Sequence, residues 1–293
     1  MERSRLIGLM ALGVFACAFL ACEKEIEYKG EAGESLLVIN QLIDKDSTFS
    51  VEIERSVFFL ENNMTDTHIS DASVTVTNLT NGSFETVTSG MNGVYDFTMT
   101  AIEGHEYEVT ASKSDYPTAS AKTVVPSMIP LLSVDTSTYI DPEYQETIMR
   151  ATLKWNDPAG KNYYVLTVSS EQLGGVGENR ISLESTDLSI INGDDIDGTS
   201  YGSMFALDDD FFDGSQKELR IELPAPSPLY NEGMYFRLYH CTEDTYRYLV
   251  SAEKDMISGG GGPFSEPVKV HANVTDGYGI FSAFATGSFY IPF

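Results

Sequence analysis

Apolar residues fall at every second position in short runs along much of this chain, and turn signals interrupt the runs at brief intervals. Phe49-Ser50-Val51-Glu52-Ile53-Glu54 and Ser73-Val74-Thr75-Val76-Thr77 alternate strictly. That period places one face of an extended strand in a core and the other in water. Asn81-Gly82 and Asn92-Gly93 supply the positive φ of tight hairpin turns. His105 to Ala111 alternates again, and Ala119–Val125 follows the turn at Asp115-Tyr116-Pro117. About seven short strands without a helix-period segment predict an antiparallel β-sandwich over residues 36–126. The hydrophobic fraction of 42% over 293 residues is enough for a genuine core.

Pro126 and Pro130 favour extended backbone and mark a boundary. A second all-β domain is predicted over 127–293. Ile148–Trp155 reads as a strand, Asn156-Asp157-Pro158-Ala159-Gly160 as a turn, and Asn162–Val168 as the next strand. Trp155, the single tryptophan, is expected in the core. Residues 171–218 are rich in Gly, Asp and Ser and predict a long insertion, with short strands at Arg180–Leu183 and Ser203–Leu207. Leu219–Leu223 and Met234–His240 return to strand pattern. A short helix is predicted over Thr245–Lys254, capped by Thr242 or Asp244, with Tyr246, Leu249 and Val250 on one face. Val268–Val270 and Gly279–Ile291 are expected as closing strands.

The first residues fix an address. Arg3 and Arg5 precede an apolar run from Leu6 to Leu20, too short to span a bilayer comfortably. The run ends in Phe19-Leu20-Ala21-Cys22, the pattern of a lipoprotein box. Residues 1–21 are therefore read as a signal peptide, and Cys22 as the acylated N-terminus of the mature chain. Residues 22–35 follow as an acidic tether. Its start, Glu23-Lys24-Glu25, resembles the surface-export signal of Bacteroidetes lipoproteins. The expectation is an outer-membrane, lipid-anchored protein facing the cell exterior. With Cys22 acylated, Cys241 has no partner for an intrachain disulfide.

Charge and motifs then exclude function classes. The net charge of -26 argues against nucleic acid, which needs a clustered basic face. His68, His105, His240 and His271 form no zinc-ligand spacing, and neither a Gly-x-Ser-x-Gly elbow nor a phosphate loop occurs. His240 and Cys241 are neighbours on a strand, so their side chains point apart and make no nucleophile pair. A non-enzyme without a cofactor is expected, a hydrolase being the least favoured alternative. The acidic stretches 192–198 and 208–214 miss essential EF-hand ligand positions, leaving only an irregular calcium site open. Loop aromatics and their acidic neighbours, Tyr201, Asp209, Phe211, Phe212 and Asp213, are the candidates for ligand or partner contact. Phe58 and Phe59 are further loop aromatics.

Three resemblances attach to these residues. Ala72-x-Val74-x-Val76 with Gly93-x-Tyr95 and Gly104-x-x-Tyr107-x-Val109 resembles transthyretin-like, Ig-like sandwiches. A strand ending in Trp155 followed by an aromatic strand resembles a fibronectin type III core. Across the chain, Cys22-Glu23-Lys24-Glu25-Ile26, Leu37-Val38-Ile39-Asn40, Asp71-Ala72-x-Val74-x-Val76, Trp155-Asn156-Asp157-Pro158 with Asn162-Tyr163-Tyr164, Asp208–Gly214, Pro263–Pro267 and Asn273-Val274-x-x-Gly277-x-Gly279-Ile280-Phe281 together resemble the DUF4249 lipoproteins of Bacteroidetes. That resemblance implies a surface lipoprotein working beside a TonB-dependent β-barrel transporter in nutrient uptake. It implies no ligand and no catalytic residues. A stand-alone adhesin or glycan-binding module is the alternative function.

Overall fold

The computed structural model describes residues 34–58, 66–174, 177–192, 194–196, 198–259 and 268–293. Cys22, Glu23, Lys24 and Glu25, the acylation site and export signal of the sequence reading, lie outside these residues, as do Phe59 and 263–267. The described chain runs β1 (Leu37–Asp44), β2 (Thr48–Arg55), β3 (Ser73–Asn78), β4 (Phe84–Val87), β5 (Val94–Thr100), β6 (Glu106–Ser112), β7 (Ala119–Val124), β8 (Ser133–Ile140) and β9 (Thr147–Asn156). It continues through β10 (Tyr163–Gln172), β11 (Glu178–Arg180), β12 (Leu183–Ser185), β13 (Asp194–Ile196), β14 (Thr199–Gly202), β15 (Phe205–Asp208), β16 (Gln216–Pro224) and β17 (Asn231–Cys241). Helix α1 (Glu243–Gly259) and β18 (Tyr278–Pro292) close it. The fold is all-β, as its alternation predicts.

One long sheet organises the whole. Its order is β11-β10-β17-β18-β1-β2-β5, with β15 also on β10. The first half of β18 pairs parallel with β1, from Val38↔Tyr278 to Asp44↔Phe284. Its second half pairs antiparallel with β17, from Cys241↔Phe284 to Gly233↔Pro292. Two shorter sheets, β4-β3-β6-β7 and β13-β14-β12-β16-β9-β8, complete the architecture.

Parity along β18 shows how the layers stack. Phe281 and Ala283 enter a core with Val74, Val76, Tyr107 and Val109 of the four-stranded sheet. Phe289 and Ile291 pack on a second core with Leu153, Trp155, Leu219 and Ile221 of the six-stranded sheet. All four β18 positions are odd and face the same side. Both short sheets thus lie end to end on one face of the long sheet. Phe284, an even position, packs with Tyr246 and Val250 of α1 on the opposite face. β10 is consequently covered on both sides, and Tyr164–Ser170 is buried without alternation.

The expected boundary at 126/127 falls between the two cores, since Val125 belongs to the first and Ile129 to the second. Residues 35–293 nevertheless form one compact unit, because the C-terminal strand is part of both sandwiches. The expected insertion 171–218 also needs correction. Its strands join existing sheets: β11 and β15 extend the long sheet, and β12 joins β16. Leu183, Ile190, Phe205 and Leu207 supply the second core. The helix is longer than predicted, and Thr242 caps it, its Oγ1 accepting the Thr245 N–H at 3.2 Å. The strand expected at Val268–Val270 is absent, and β8 joins an edge that alternation did not indicate.

Candidate functional site

The Asp-rich candidates of 208–213 meet the turn that follows Trp155. β15 pairs with β10 through Tyr163↔Asp208, and β16 pairs with β9 through Gln216↔Asn156. These two registers carry the loop after β15 over the loop after β9. Asp157 accepts from the Tyr164 hydroxyl at 2.5 Å and from the Gly214 N–H at 2.8 Å. Asp209 accepts from the Asn162 N–H at 2.7 Å, and Asp213 from the Gly160 N–H at 2.8 Å. Lys161 extends over Asp208, Asp209 and Asp210, with Nζ at 3.3, 3.2 and 2.5 Å. Burial raises the Asp157 carboxyl above its ordinary value, against the hydrogen bonds that stabilise its anion. Burial, followed by the adjacent Asp157, raises the Tyr164 phenol. Partial burial pulls the Lys161 ammonium down, but the carboxylates around it outweigh that and raise it.

Carboxylate oxygens of Asp157, Asp209 and Asp213 lie within 4.8 Å of one another. Protein donors already occupy them, and Lys161 supplies the positive charge that a cation would bring. The arrangement is a clasp joining two loops. His240 extends it: Nδ1 donates to the Ser127 carbonyl at 2.7 Å, and Nε2 faces the Asn162 side-chain oxygen at 3.0 Å. The link between the cores is thereby pinned to the clasp. Cys241 points the other way, into the helix-covered core, where burial raises its thiol and keeps it inert.

The sequence candidates for contact therefore separate. Phe212 is buried, its ring 6.0 Å from Trp155 and 6.1 Å from Tyr164. Asp209 is 1% exposed. Both hold the clasp together and offer no surface, which corrects their expected role. Phe211 is 73% exposed beside them, and Asp213 is exposed but tied to Gly160. Tyr201 stands opposite Glu184 on β12, six residues along β16 from the clasp end at Gln216. At ~3.3 Å per residue that is about 20 Å away. The five residues do not form one surface.

A groove missed by sequence reasoning lies where β10 ends beside β17, at Gln172↔Asn231. Its volume is about 690 Å³, and Gln172, Asn179, Arg180, Pro224, Leu229 and Tyr230 contribute to its walls. Leu229 and Tyr230 are 76% and 72% exposed. Through Ser182 and Pro224 the groove adjoins a cleft of about 360 Å³ that Tyr139, Tyr144 and Tyr201 line with Asp141, Glu146, Glu184 and Glu222. The signal in the sequence was Pro224-Ala225-Pro226-Ser227-Pro228-Leu229-Tyr230, an aromatic at the end of a stiff proline run. Among the described residues, no helix is long and apolar enough to cross a membrane.

One long sheet carrying two shorter ones, with a groove where two of its strands end, defines an all-β sandwich protein. The chain belongs to the Domain of unknown function (DUF4249) family, which matches residues 23–289. No curated protein matches it significantly.

Proposed function

We propose that this chain is a non-catalytic, lipid-anchored protein of the outer-membrane surface that captures ligand for a TonB-dependent nutrient transporter. The groove at the end of β10 is its capture surface. The observation that carries the reading is the position of that groove. Residue 37 sits beside the start of β18, and Gly233 beside its end at Pro292. Fourteen steps at ~3.3 Å separate the two poles by about 45 Å. A tether joined at residue 35 and acylated at Cys22 leaves the groove at the far pole, within reach of ligand and of a barrel. Leu229 and Tyr230 at that pole are exposed anchors on the turn that leads into β17.

The test is co-purification of the tagged, lipidated protein from outer membranes in mild detergent. The expected result is a β-barrel transporter in the eluate and a diacyl-type thioether at Cys22 by mass spectrometry. A bare Cys22 sulfur, or recovery of no barrel protein, opposes the reading. Tyr230 standing clear among amide side chains also suits a stand-alone glycan-binding module. Glycan binding that persists without any barrel partner would select that alternative.

A further inference from the structure

We infer that the groove takes an anionic sugar chain, with a uronate carboxylate on Arg180 and one ring face on Tyr230. This rests on the capture reading and names its ligand class. The chain holds 44 acidic residues against 18 basic ones, yet the groove wall carries Arg180 and no carboxylate. The adjoining cleft shows the usual balance of this surface, with Asp141, Glu146, Glu184 and Glu222.

Three acidic residues beside the β10, β11 and β17 wall of the groove are engaged elsewhere. Glu178 binds Arg237 and the Ser169 hydroxyl at 2.6 Å each, Glu171 accepts from the Tyr290 hydroxyl at 2.9 Å, and Glu232 accepts from the Gly174 N–H at 2.9 Å. Among the described residues Arg180 forms backbone pairing with Ser169, and its guanidinium has neither an ion pair nor a hydrogen bond. A guanidinium in that state presents a planar fork of donors that matches a carboxylate. Long-range repulsion by the net charge of -26 is screened beyond ~8 Å at physiological ionic strength, so the contact charge decides.

The remaining chemistry points to a sugar. The side chains of Gln172, Asn179 and Ser182 line the wall without hydrogen-bond partners among the described residues. Amides and hydroxyls both donate and accept, as sugar hydroxyls do. Tyr230 offers an uncovered apolar face with a polar tip, suited to the C–H face of a pyranose ring. The groove is open to solvent, so a chain can lie against it.

The experiment is titration calorimetry on the full lipidated protein in detergent micelles. The probes are oligogalacturonate, oligomannuronate and hyaluronan oligosaccharides, the fully methyl-esterified galacturonate, and a polyglutamate peptide. At least one uronate chain should bind, and its ester roughly tenfold more weakly. Arg180→Gln should reproduce that loss on the acid and leave the ester unchanged, while Tyr230→Ala should weaken both. Equal affinity for acid and ester, indifference to Arg180→Gln, equal binding of polyglutamate, or no binding of any uronate chain would overturn the inference. A neutral glucan that binds as tightly as the best uronate chain and depends on Tyr230 would do so while leaving the capture reading in place.

Discussion

Asp157 does the most with one side chain. It satisfies the buried Tyr164 hydroxyl and the Gly214 N–H, so it ties its own turn to β10 and to the loop after β15. Asp157→Ala strands both donors, and a loss of about 3 kcal/mol in unfolding free energy is expected from denaturant midpoints. A change under about 0.5 kcal/mol would show that the clasp contributes nothing. His240 makes a pH prediction. Burial, the largest influence, holds its imidazole below the ordinary 6.5, although the Ser127 carbonyl and the nearby Asp157 and Asp209 act to raise it. The unfolded chain then binds the proton more readily than the folded one. Stability from this residue is complete above 6.5 and is lost as pH falls through the lower folded value. Exposed His68, raised by its hydrogen bond to Asp66, works in the opposite sense. Between about pH 7 and about pH 5 the wild type should therefore lose more stability than His240→Gln. The reverse slope would mean that the two oxygens beside the ring hold an imidazolium. At this scale little was legible. Phe211 and Phe212 are adjacent and alike in sequence. Only the position of Trp155 and Tyr164 across the fold decides that one is core and the other surface.

Among elements, β18 is decisive, and glycine permits its two close approaches. At Gly279, with φ +100°, an added Cβ would meet the Ile39 carbonyl oxygen at 2.2 Å. The parallel register with β1 needs that space. At Gly287 it would meet the Ile129 carbonyl oxygen at 2.3 Å, where the link between the cores crosses the long sheet. Gly287→Ala should displace that link. A loss of about 2 kcal/mol is expected, together with faster exchange of amides in 125–132. Unchanged exchange would remove this explanation of the glycine. The C-terminal glycine spacing was therefore legible as a pattern, while its reason needed the register. Period-two alternation in β2, β3, β6 and β9 was readable because one face of each is buried. In 171–218, where strands run only three or four residues, it located β15 near the expected Ser203–Leu207 but placed Arg180–Leu183 across the gap between β11 and β12. It also failed for β8, whose middle is exposed on both faces.

On the scale of the whole molecule, two sandwiches share one sheet and cannot be separated at residue 126. The first core uses Phe281 and Ala283 from the last strand. Residues 35–126 alone should therefore show no cooperative unfolding by circular dichroism. In the intact chain, Trp155 fluorescence, which reports the second core, should change together with far-ultraviolet dichroism in a single transition. Two separate transitions would mean that the sandwiches are independent. The strand count of the first sandwich was legible in the sequence. The sharing was not, because parallel pairing of β1 with a strand some 240 residues distant leaves no local trace.

The proposed working surface is the groove pole, and one measurement tests that directly. A photo-crosslinking residue is introduced at Leu229 in the groove or at Met91, which is 79% exposed near the start of β5 at the opposite pole. Each variant is irradiated in living cells. The prediction is an adduct with an outer-membrane β-barrel protein from position 229 and none from position 91. An adduct from position 91 alone, or from neither, would contradict the account.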